Sequence, residues 1–347
     1  MEKARAVLRS WIWVGAVLGL AACDSSPVAP PPPGLGISCP AAASGVSHLN
    51  APAIVSWDAP STTGGTAPVT VSCTPAPGTA FNLGSTTVTC LASDARLQAA
   101  SCSFPVTVTR APQLGATRFM AFGDSITEGK SQDPPPFGLL SIYNPASYPY
   151  KLNNLLKLRF PDQDVTVMNE GLAGEFVADG YNRLASSLAP ANPDAVLLLD
   201  GANDLLNFPS STTTQYIAGK LRDMVRLVQS RSAGRTPVLL ATFPPQRQGT
   251  YKDRSAGLPY VPELNQRIAD VARTEKNAYL VDLYAGFPTD TSRLISVDGL
   301  HPTPEGYTLM AQIFYQAVLD HFETKLAARH ALPIRGMIAG PERRYPR

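Results

Sequence analysis

The chain has 347 residues, of which 44% are hydrophobic and 16% charged, and its net charge is +2. This composition is typical of a globular protein, and the length predicts two folded units together with processing segments. The nearly balanced charge argues against binding to nucleic acid, which requires a basic surface that neutralises phosphates.

The first 22 residues have the features of an export signal. A basic start is followed by an uncharged apolar run from Trp11 to Leu20, which is too short to span a membrane comfortably. Taken alone, this run could also be a buried helix. The next residues, Leu20-Ala21-Ala22-Cys23, resemble the lipobox at which bacterial lipoproteins are cleaved and acylated. The resemblance implies a signal peptide over residues 1–22 and a lipidated Cys23.

Removal of this signal takes away three of the 29 basic residues and one of the 27 acidic residues, so the mature net charge becomes zero. We therefore expect the lipid on Cys23, rather than a charged surface, to hold the protein at a membrane. The expected location is the bacterial cell envelope, on its periplasmic or outer-surface face. Residues 23–36 include four successive prolines and predict a semi-rigid polyproline II spacer.

Residues 37–110 combine short β-rich segments with turn residues, a pattern that predicts a small β-sandwich. The predicted strands are Ala53 to Trp57, Pro68 to Cys73, Ser85 to Leu91 and Cys102 to Val108.

The four cysteines of the mature chain after Cys23 all lie in this region, at Cys39, Cys73, Cys90 and Cys102. An even, clustered set in an exported protein predicts two disulfides, for which three connectivities are possible. A metal site is the weaker alternative, because there is no Cys-x-x-Cys pair and His48 is the only histidine nearby.

Three stretches of this region resemble a hyalin-repeat (HYR) module, which has an immunoglobulin-like fold. They are Pro68-Val-Thr-Val-Ser-Cys73, Gly84-Ser-Thr-Thr-Val-Thr-Cys90 and Ser101-Cys-Ser-Phe-Pro-Val-Thr-Val108. The resemblance implies disulfides between Cys39 and Cys102 and between Cys73 and Cys90. It also implies a spacer or adhesive role, with a surface polysaccharide or a protein as the partner.

From residue 116 to residue 328 the pattern changes to alternating strands and helices. Five apolar runs predict strands buried on both faces, and the segments between them have helical periodicity, so we expect a parallel sheet between two layers of helices. The predicted strands are Arg118 to Phe122, Asp164 to Met168, Ala195 to Asp200, Pro237 to Thr242 and Ala278 to Leu283. The final helix is predicted to begin with Thr303 as N-cap and Pro304 at its first position. Residues 329–347 lack periodicity and predict a loose tail.

The first of these strands ends in Gly123-Asp124-Ser125, which brings a serine to the carboxyl edge of the sheet. Open α/β sheets bind their ligands at this edge, so Ser125 is a candidate nucleophile. A serine directly after a strand can equally be the N-cap of a helix.

A serine nucleophile needs a base, and one of the four histidines is well placed to serve it. His301 follows the fifth strand in Asp298-Gly-Leu-His301-Pro, and Asp298 can fold back to hold one ring nitrogen of the histidine. The alternative is an ordinary loop before a helix. We predict that Ser125 and the Asp-x-x-His segment meet at the same sheet edge.

Two further loops can supply hydrogen-bond donors for an oxyanion. Gly174 follows the second strand, where a glycine lets a backbone N–H approach the substrate, and Asn203 follows the third strand with a side-chain amide. Each is also a common turn residue.

Together, Gly123-Asp124-Ser125, the Gly174 loop, Gly201-Ala-Asn-Asp204 and Asp298-x-x-His301 resemble the SGNH, or GDSL, hydrolase superfamily. The resemblance implies a flavodoxin-like, three-layer αβα fold with a five-stranded parallel sheet. It implies Ser125, His301 and Asp298 as the catalytic triad, and Ser125, Gly174 and Asn203 as the oxyanion hole. The chemistry so implied needs neither metal nor organic cofactor.

The stretch from Ser131 to Ser147 contains three prolines followed by several apolar side chains. It either forms an apolar wall of the active site or is a surface loop that packs on its own domain.

The sequence therefore predicts a monomeric serine esterase that hydrolyses an O-acetyl or short-acyl ester of a carbohydrate through an acyl-enzyme. A lysophospholipase or thioesterase is the nearest enzyme alternative, because the fold does not select the ester. A non-catalytic glycan-binding protein of the cell surface is the alternative from another class.

Overall fold

The computed structural model describes residues 33–130, 145–250 and 253–324, which form two compact units. The predicted signal peptide, Cys23, most of the spacer, residues 131–144 and the tail lie outside the described residues. The domain boundaries inferred from the sequence stay predictions.

The N-terminal region is built from β-strands. Its strands are β1 Gly36–Ser38, β2 Ala43–Ser47, β3 Ala53–Val55, β4 Ser61–Thr63, β5 Thr70–Thr74, β6 Thr79–Phe81, β7 Gly84–Ser93 and β8 Ala99–Arg110. A four-stranded sheet has the order β2-β8-β7-β5, and β1-β4 and β3-β6 form two-stranded sheets. Buried and exposed side chains alternate along β7 and β8, so these long strands present one face to a core.

Two disulfides join strands of this region. They link Cys39 to Cys102 and Cys73 to Cys90, the pairing implied by the HYR resemblance. Cys73 and Cys90 are direct partners in the antiparallel pair β5–β7. A cross-link closes a loop in the unfolded chain and so lowers its entropy, which is important for a small β-module with a limited core.

The C-terminal region is the α/β unit. Its strands are β9 Arg118–Gly123, β10 Thr166–Gly171, β11 Ala195–Leu199, β12 Val238–Ala241 and β13 Ala278–Val281. Its helices are α1 Ser125–Glu128, α2 Tyr148–Arg159, α3 Val177–Ala191, α4 Ala202–Asn207, α5 Ser211–Arg231, α6 Tyr260–Thr274, α7 Leu283–Gly286 and α8 Pro304–Phe322. All five strands are parallel, in the order β10-β9-β11-β12-β13.

The sheet confirms the predicted three-layer fold, and its strand ends differ from the prediction by only a few residues. β11 and β12 are buried along their whole length, because helices cover both faces, whereas the edge strand β10 is half-buried. Helix α2 packs against α8, and α3, α5 and α6 form a second packed group. Across the first group, the rings of Tyr148 and Phe314 stack with centroids 4.7 Å apart. Within the described ranges, no helix combines the length and apolarity that a membrane crossing requires.

Gly123 allows the neighbouring strands β9 and β11 to lie close together at the carboxyl edge of the sheet. A β-carbon placed on Gly123 would lie 1.8 Å from the carbonyl oxygen of Leu199 on β11 and 2.7 Å from Oγ1 of Thr127. Only glycine therefore fits between β9 and β11 at this point. The next two residues, Asp124 and Ser125, leave the sheet from this close contact.

We expect Gly123→Ala to lower the free energy of unfolding by about 2–3 kcal/mol, because backbone atoms of Leu199 would have to move. The matched control is Gly219→Ala in α5, where a β-carbon meets nothing within 4 Å. This control should raise stability by roughly 0.5–1 kcal/mol, because alanine loses less entropy than glycine in a helix. Urea unfolding followed by circular dichroism measures both changes. Equal stability of the two variants would contradict the close packing of the strands.

Candidate active site

Ser125 is the first residue of the short helix α1, and a single residue, Asp124, separates it from the end of β9. The N-cap of this helix is Asp124, whose Oδ1 accepts a hydrogen bond from the Ile126 N–H at 3.0 Å. The alternative interpretation of Ser125 as the N-cap is therefore wrong. The Ser125 side chain is free for another partner, and its Oγ lies 2.8 Å from Nε2 of His301.

His301 and Asp298 lie in one tight loop, as predicted. Oδ2 of Asp298 lies 2.5 Å from Nδ1 of His301. The other carboxylate oxygen accepts hydrogen bonds from the Ser296 hydroxyl and from the backbone N–H groups of Leu300 and His301. The turn is possible because Gly299 has a positive φ of 78°. The structure thus brings Ser125, His301 and Asp298 into one hydrogen-bonded row.

The hydrogen bonds around Asp298 determine its protonation state. Burial acts to raise the pKa of Asp298, but the hydrogen bond and charge of His301, together with the backbone N–H groups of Leu300 and His301, outweigh burial. The pKa of Asp298 is therefore well below its usual value, and the group is a carboxylate at neutral pH. A carboxylate only accepts hydrogen bonds, so Nδ1 of His301 carries the proton and Nε2 can accept the Ser125 hydroxyl proton.

Two arginines that the sequence analysis did not single out hold this loop from outside. Arg247 donates from Nε to the Ile295 carbonyl and from Nη2 to the Ser296 carbonyl, both at 3.1 Å. Nε of the buried Arg254 donates to the Asp298 carbonyl at 2.8 Å. Both arginines belong to the connection between β12 and α6, and no motif in the sequence links them to Asp298. Only the folded chain reveals this support.

The two predicted donor loops are joined to each other. The side-chain amide of Asn203, in the first turn of α4, donates from Nδ2 to the backbone carbonyl of Glu175 at 2.9 Å. Glu175 directly follows Gly174, which is exposed and has a positive φ of 80°. A β-carbon on Gly174 would meet no atom within 4 Å, so this stretch of backbone is open to a ligand.

The same loops are also tied to the Ser125 loop. Oδ2 of Asp124 accepts the Ala202 N–H at 2.9 Å, and Oδ2 of Asp204 accepts the Val177 N–H at 2.8 Å. Hydrogen bonds therefore connect the three loops that carry Ser125, Gly174 and Asn203. Ser125 also contacts His301 of the Asp298 loop.

Two parts of the chain match known protein families. Residues 121–309 match the GDSL-like Lipase/Acylhydrolase family, and residues 30–108 match the HYR domain. The chain belongs to the GDSL-like lipase/acylhydrolase family. It is an ester-hydrolysing enzyme of the SGNH/GDSL type.

Relatives of this GDSL-like hydrolase include an arylesterase from Vibrio mimicus, which is 28% identical over 160 residues, covering 46% of this chain and 72% of the relative. Among solved structures, a protein from Parabacteroides merdae described as a GDSL-like lipase is 22% identical, with a TM-score of 0.50 over 60% of this chain and 99% of its own. A lipase/acylhydrolase from Enterococcus faecalis is 24% identical, with a TM-score of 0.47 over 61% and 100% of the two chains. The Parabacteroides structure shows the fold.

The GDSL-like domain also buries two carboxyl groups beside the site, those of Asp124 and Asp200, to which the sequence analysis assigned no chemical role. Burial raises the pKa of Asp124 to about 6, although hydrogen bonds from the Ile126 and Ala202 N–H groups oppose the rise. Burial, followed by the charges of Asp124 and Glu175, raises the pKa of Asp200 well above its usual value. Oδ1 of Asp200 accepts the Gly201 N–H at 2.8 Å, and its Oδ2 has no partner among the described residues. Burial without a described partner for Oδ2 therefore favours the protonated form of Asp200 over the carboxylate.

We expect Asp200→Asn to change how the stability of the GDSL-like domain depends on pH. At pH values between the usual pKa of Asp200 and its raised pKa in the folded protein, the group is ionised in the unfolded chain but protonated in the folded one. Raising the pH through this range therefore destabilises the wild-type protein. Asparagine cannot ionise, so the free energy of unfolding of the variant should increase relative to that of the wild type as the pH rises from 5 to 7. Urea unfolding at both pH values measures this gain.

The matched control for this test is Asp290→Asn. The pKa of the exposed Asp290 is lowered, first by the hydrogen bond from the Ser292 N–H, so the group is ionised in both folded and unfolded chains over this pH range. The control should show no pH-dependent difference from the wild type. If Asp200→Asn also showed no pH-dependent difference from the wild type, the raised pKa of Asp200 would be disproved.

Proposed function

We propose that this enzyme hydrolyses carboxylic esters through an acyl-enzyme on Ser125. The observation that carries the proposal is the row formed by Ser125 Oγ, His301 and Asp298, with separations of 2.8 Å and 2.5 Å. His301 takes the hydroxyl proton as Oγ attacks the ester carbonyl, and then passes it to the leaving alcohol. Water then gives a proton to His301 and attacks the acyl group. The acyl group leaves as a carboxylic acid, and His301 returns the proton to Ser125. Asp298 keeps the imidazole oriented and stabilises its charged form.

The negative oxygen of the tetrahedral intermediate is held by the N–H groups of Ser125 and Gly174 and by the amide of Asn203 in this proposal. The arrangement of Asn203 supports the assignment: one N–H of its amide donates to the Glu175 carbonyl, and the second N–H has no acceptor among the described residues. The open backbone at Gly174 supports it as well. Fixed donors of this kind stabilise the transition state without reorganisation.

We further propose a short-acyl substrate, specifically an O-acetyl ester of a carbohydrate. The Vibrio mimicus relative is named an arylesterase, which favours activity on small model esters. The segment from Arg247 to Thr250 pairs with the Asp298 loop through two backbone hydrogen bonds, and its exposed side chains, Gln248 and Thr250, are polar. Polar, exposed side chains on a segment that pairs with the Asp298 loop suit a leaving group rich in hydroxyls.

A lysophospholipase or thioesterase activity is the second candidate. The observation that favours it is Leu172, which is 48% exposed two residues before Gly174 and offers an apolar contact for an acyl chain. The third reading, a non-catalytic protein that binds glycans through its HYR domain, does not use the geometry of Ser125 and His301.

Ester panels distinguish these proposals. We expect kcat/KM to be highest for p-nitrophenyl acetate and to fall towards the palmitate, with acetate released from an acetylated polysaccharide but no fatty acid from lysophosphatidylcholine. Ser125→Ala should lower kcat by roughly 10⁴- to 10⁶-fold, because the nucleophile is lost. Ser230→Ala, which changes an exposed serine on α5, is the matched control and should keep wild-type activity.

The outcomes of this panel separate the candidates. Preference for palmitate and for the lysolipid would replace the carbohydrate proposal with the lipid one. Equal turnover by the wild type and Ser125→Ala would remove the catalytic proposal and leave the binding role.

We also propose that the protein is exported and anchored in the cell envelope through acylated Cys23, a residue outside the described ranges. The proposal is supported by the apolar run and the lipobox-like segment that precede Cys23. Cys23→Ser should move the protein from the membrane pellet to the soluble fraction, because the lipid cannot attach. Incorporation of labelled palmitate into the wild type is the control. An unlabelled wild-type protein, or a variant that stays in the pellet, would argue against this anchor.

A further inference from the structure

Arg183 of helix α3 lies where three loops of the site meet. Its Nε and Nη2 donate to the two carboxylate oxygens of Glu175, each at 2.7 Å. Nη2 also lies 3.1 Å from the Glu170 carbonyl and 3.4 Å from the Gly123 carbonyl. The guanidinium sits over the ring of Phe122, 4.1 Å from its centroid. One side chain therefore contacts the ends of β9 and β10 and the loop that follows β10.

Each of these contacts is adjacent to a residue assigned to the reaction. Gly123 precedes Asp124 and Ser125, and Glu175 follows Gly174. The backbone carbonyl of Glu175 is also the acceptor that holds the Asn203 amide at 2.9 Å. The side chain of Glu175 is thus fixed by Arg183 while its main chain fixes Asn203.

We propose that Arg183 is a positioning residue for the oxyanion hole, acting through Glu175 on the Asn203 amide. The inference rests on the proposed function, in which Asn203 contacts the developing oxyanion. Arg183 itself does not touch the substrate.

The burial of Glu175 makes this dependence strong. The Glu175 side chain is only 3% exposed, and a buried carboxylate needs a charged partner. Without Arg183, the carboxylate lowers its energy by turning towards water, and this rotation displaces the Glu175 carbonyl that accepts the Asn203 amide. Asn203 then loses the acceptor that orients it. A contact made mainly in the transition state weakens, so kcat falls while KM changes little.

The shape of the guanidinium matters as well as its charge. A planar fork matches a carboxylate with two parallel hydrogen bonds, and the second N–H of Nη2 is shared between the two carbonyls. A lysine ammonium is a point charge that cannot make this set of contacts at once. Arg183→Lys should therefore restore the charge pair with Glu175 but only part of the positioning.

The experiment is a double-mutant cycle between Arg183 and Asn203, with kcat and KM measured on p-nitrophenyl acetate. We expect Arg183→Met to lower kcat by about 10- to 100-fold, the loss typical of a small misplacement of a catalytic group. Asn203→Ala should lower kcat by about 10²- to 10³-fold. Once Asn203 is gone, the variant Arg183→Met/Asn203→Ala should be little slower than Asn203→Ala alone, because the two residues act through the same contact. Arg183→Lys should have a kcat between those of Arg183→Met and the wild type.

Arg267→Met is the matched control, because Arg267 on α6 makes a similar ion pair with Glu263 and also contacts Thr214. It should lower the melting temperature without changing kcat. If Arg183→Met does not fold, Arg183→Lys replaces it in the same cycle.

Losses that multiply in the double variant, or a wild-type kcat in Arg183→Met, would overturn the positioning role of Arg183 and leave the proposed function intact. A wild-type kcat in Asn203→Ala would overturn the oxyanion assignment, and the role of Arg183 with it.

Discussion

The site depends on one buried carboxylate, that of Asp124, which joins two neighbouring loops of the sheet. One oxygen accepts the Ile126 N–H and so begins the helix of Ser125, while the other accepts the Ala202 N–H at the start of the helix of Asn203. The two central strands must be close for one side chain to reach both amides, and Gly123 permits that distance. The nucleophile and the proposed oxyanion donor are therefore placed by a single group.

Carboxyl groups crowd a site in which a negative oxygen is proposed to form. Each additional anion nearby raises the energy of that oxygen unless its charge is neutralised, paired or stabilised by hydrogen bonds. Burial raises the pKa of Asp200 and so favours its neutral form, Glu175 is paired with Arg183, and Asp124 accepts two backbone N–H groups. Asp298 keeps its charge, but its partner is the histidine that becomes positive during the reaction.

The sequence predicted most of the architecture because the signals were local. Apolar runs marked the five parallel strands, and the spacing in Asp298-x-x-His301 placed a carboxylate within reach of an imidazole. The prediction that Ser125, His301 and Asp298 meet needed only the rule that parallel strands share a carboxyl edge.

The rest could not be found because it depends on long-range contacts. Arg183 lies on α3 and Arg254 lies in a loop, and nothing near either residue in the sequence names its partner. In the N-terminal region, strands such as Ser61–Thr63 have no buried side chain and hence no hydrophobic alternation to detect. The competing assignment of Ser125 as the N-cap is wrong because Asp124, the residue before it, accepts the capping hydrogen bond from the Ile126 N–H.

The loop of His301 is closed at its base by two backbone hydrogen bonds, from Ser296 to the His301 carbonyl and from Thr303 to the Leu294 carbonyl. The N-cap of Thr303 then joins this loop directly to the long helix α8. His301 and Asp298 are therefore held in the same closed loop, and its backbone hydrogen bonds restrict changes in their mutual geometry. The alignment of the three proposed catalytic groups therefore depends on the relative position of only two parts of the chain. One is the turn that carries Ser125, and the other is the closed loop that carries His301 and Asp298.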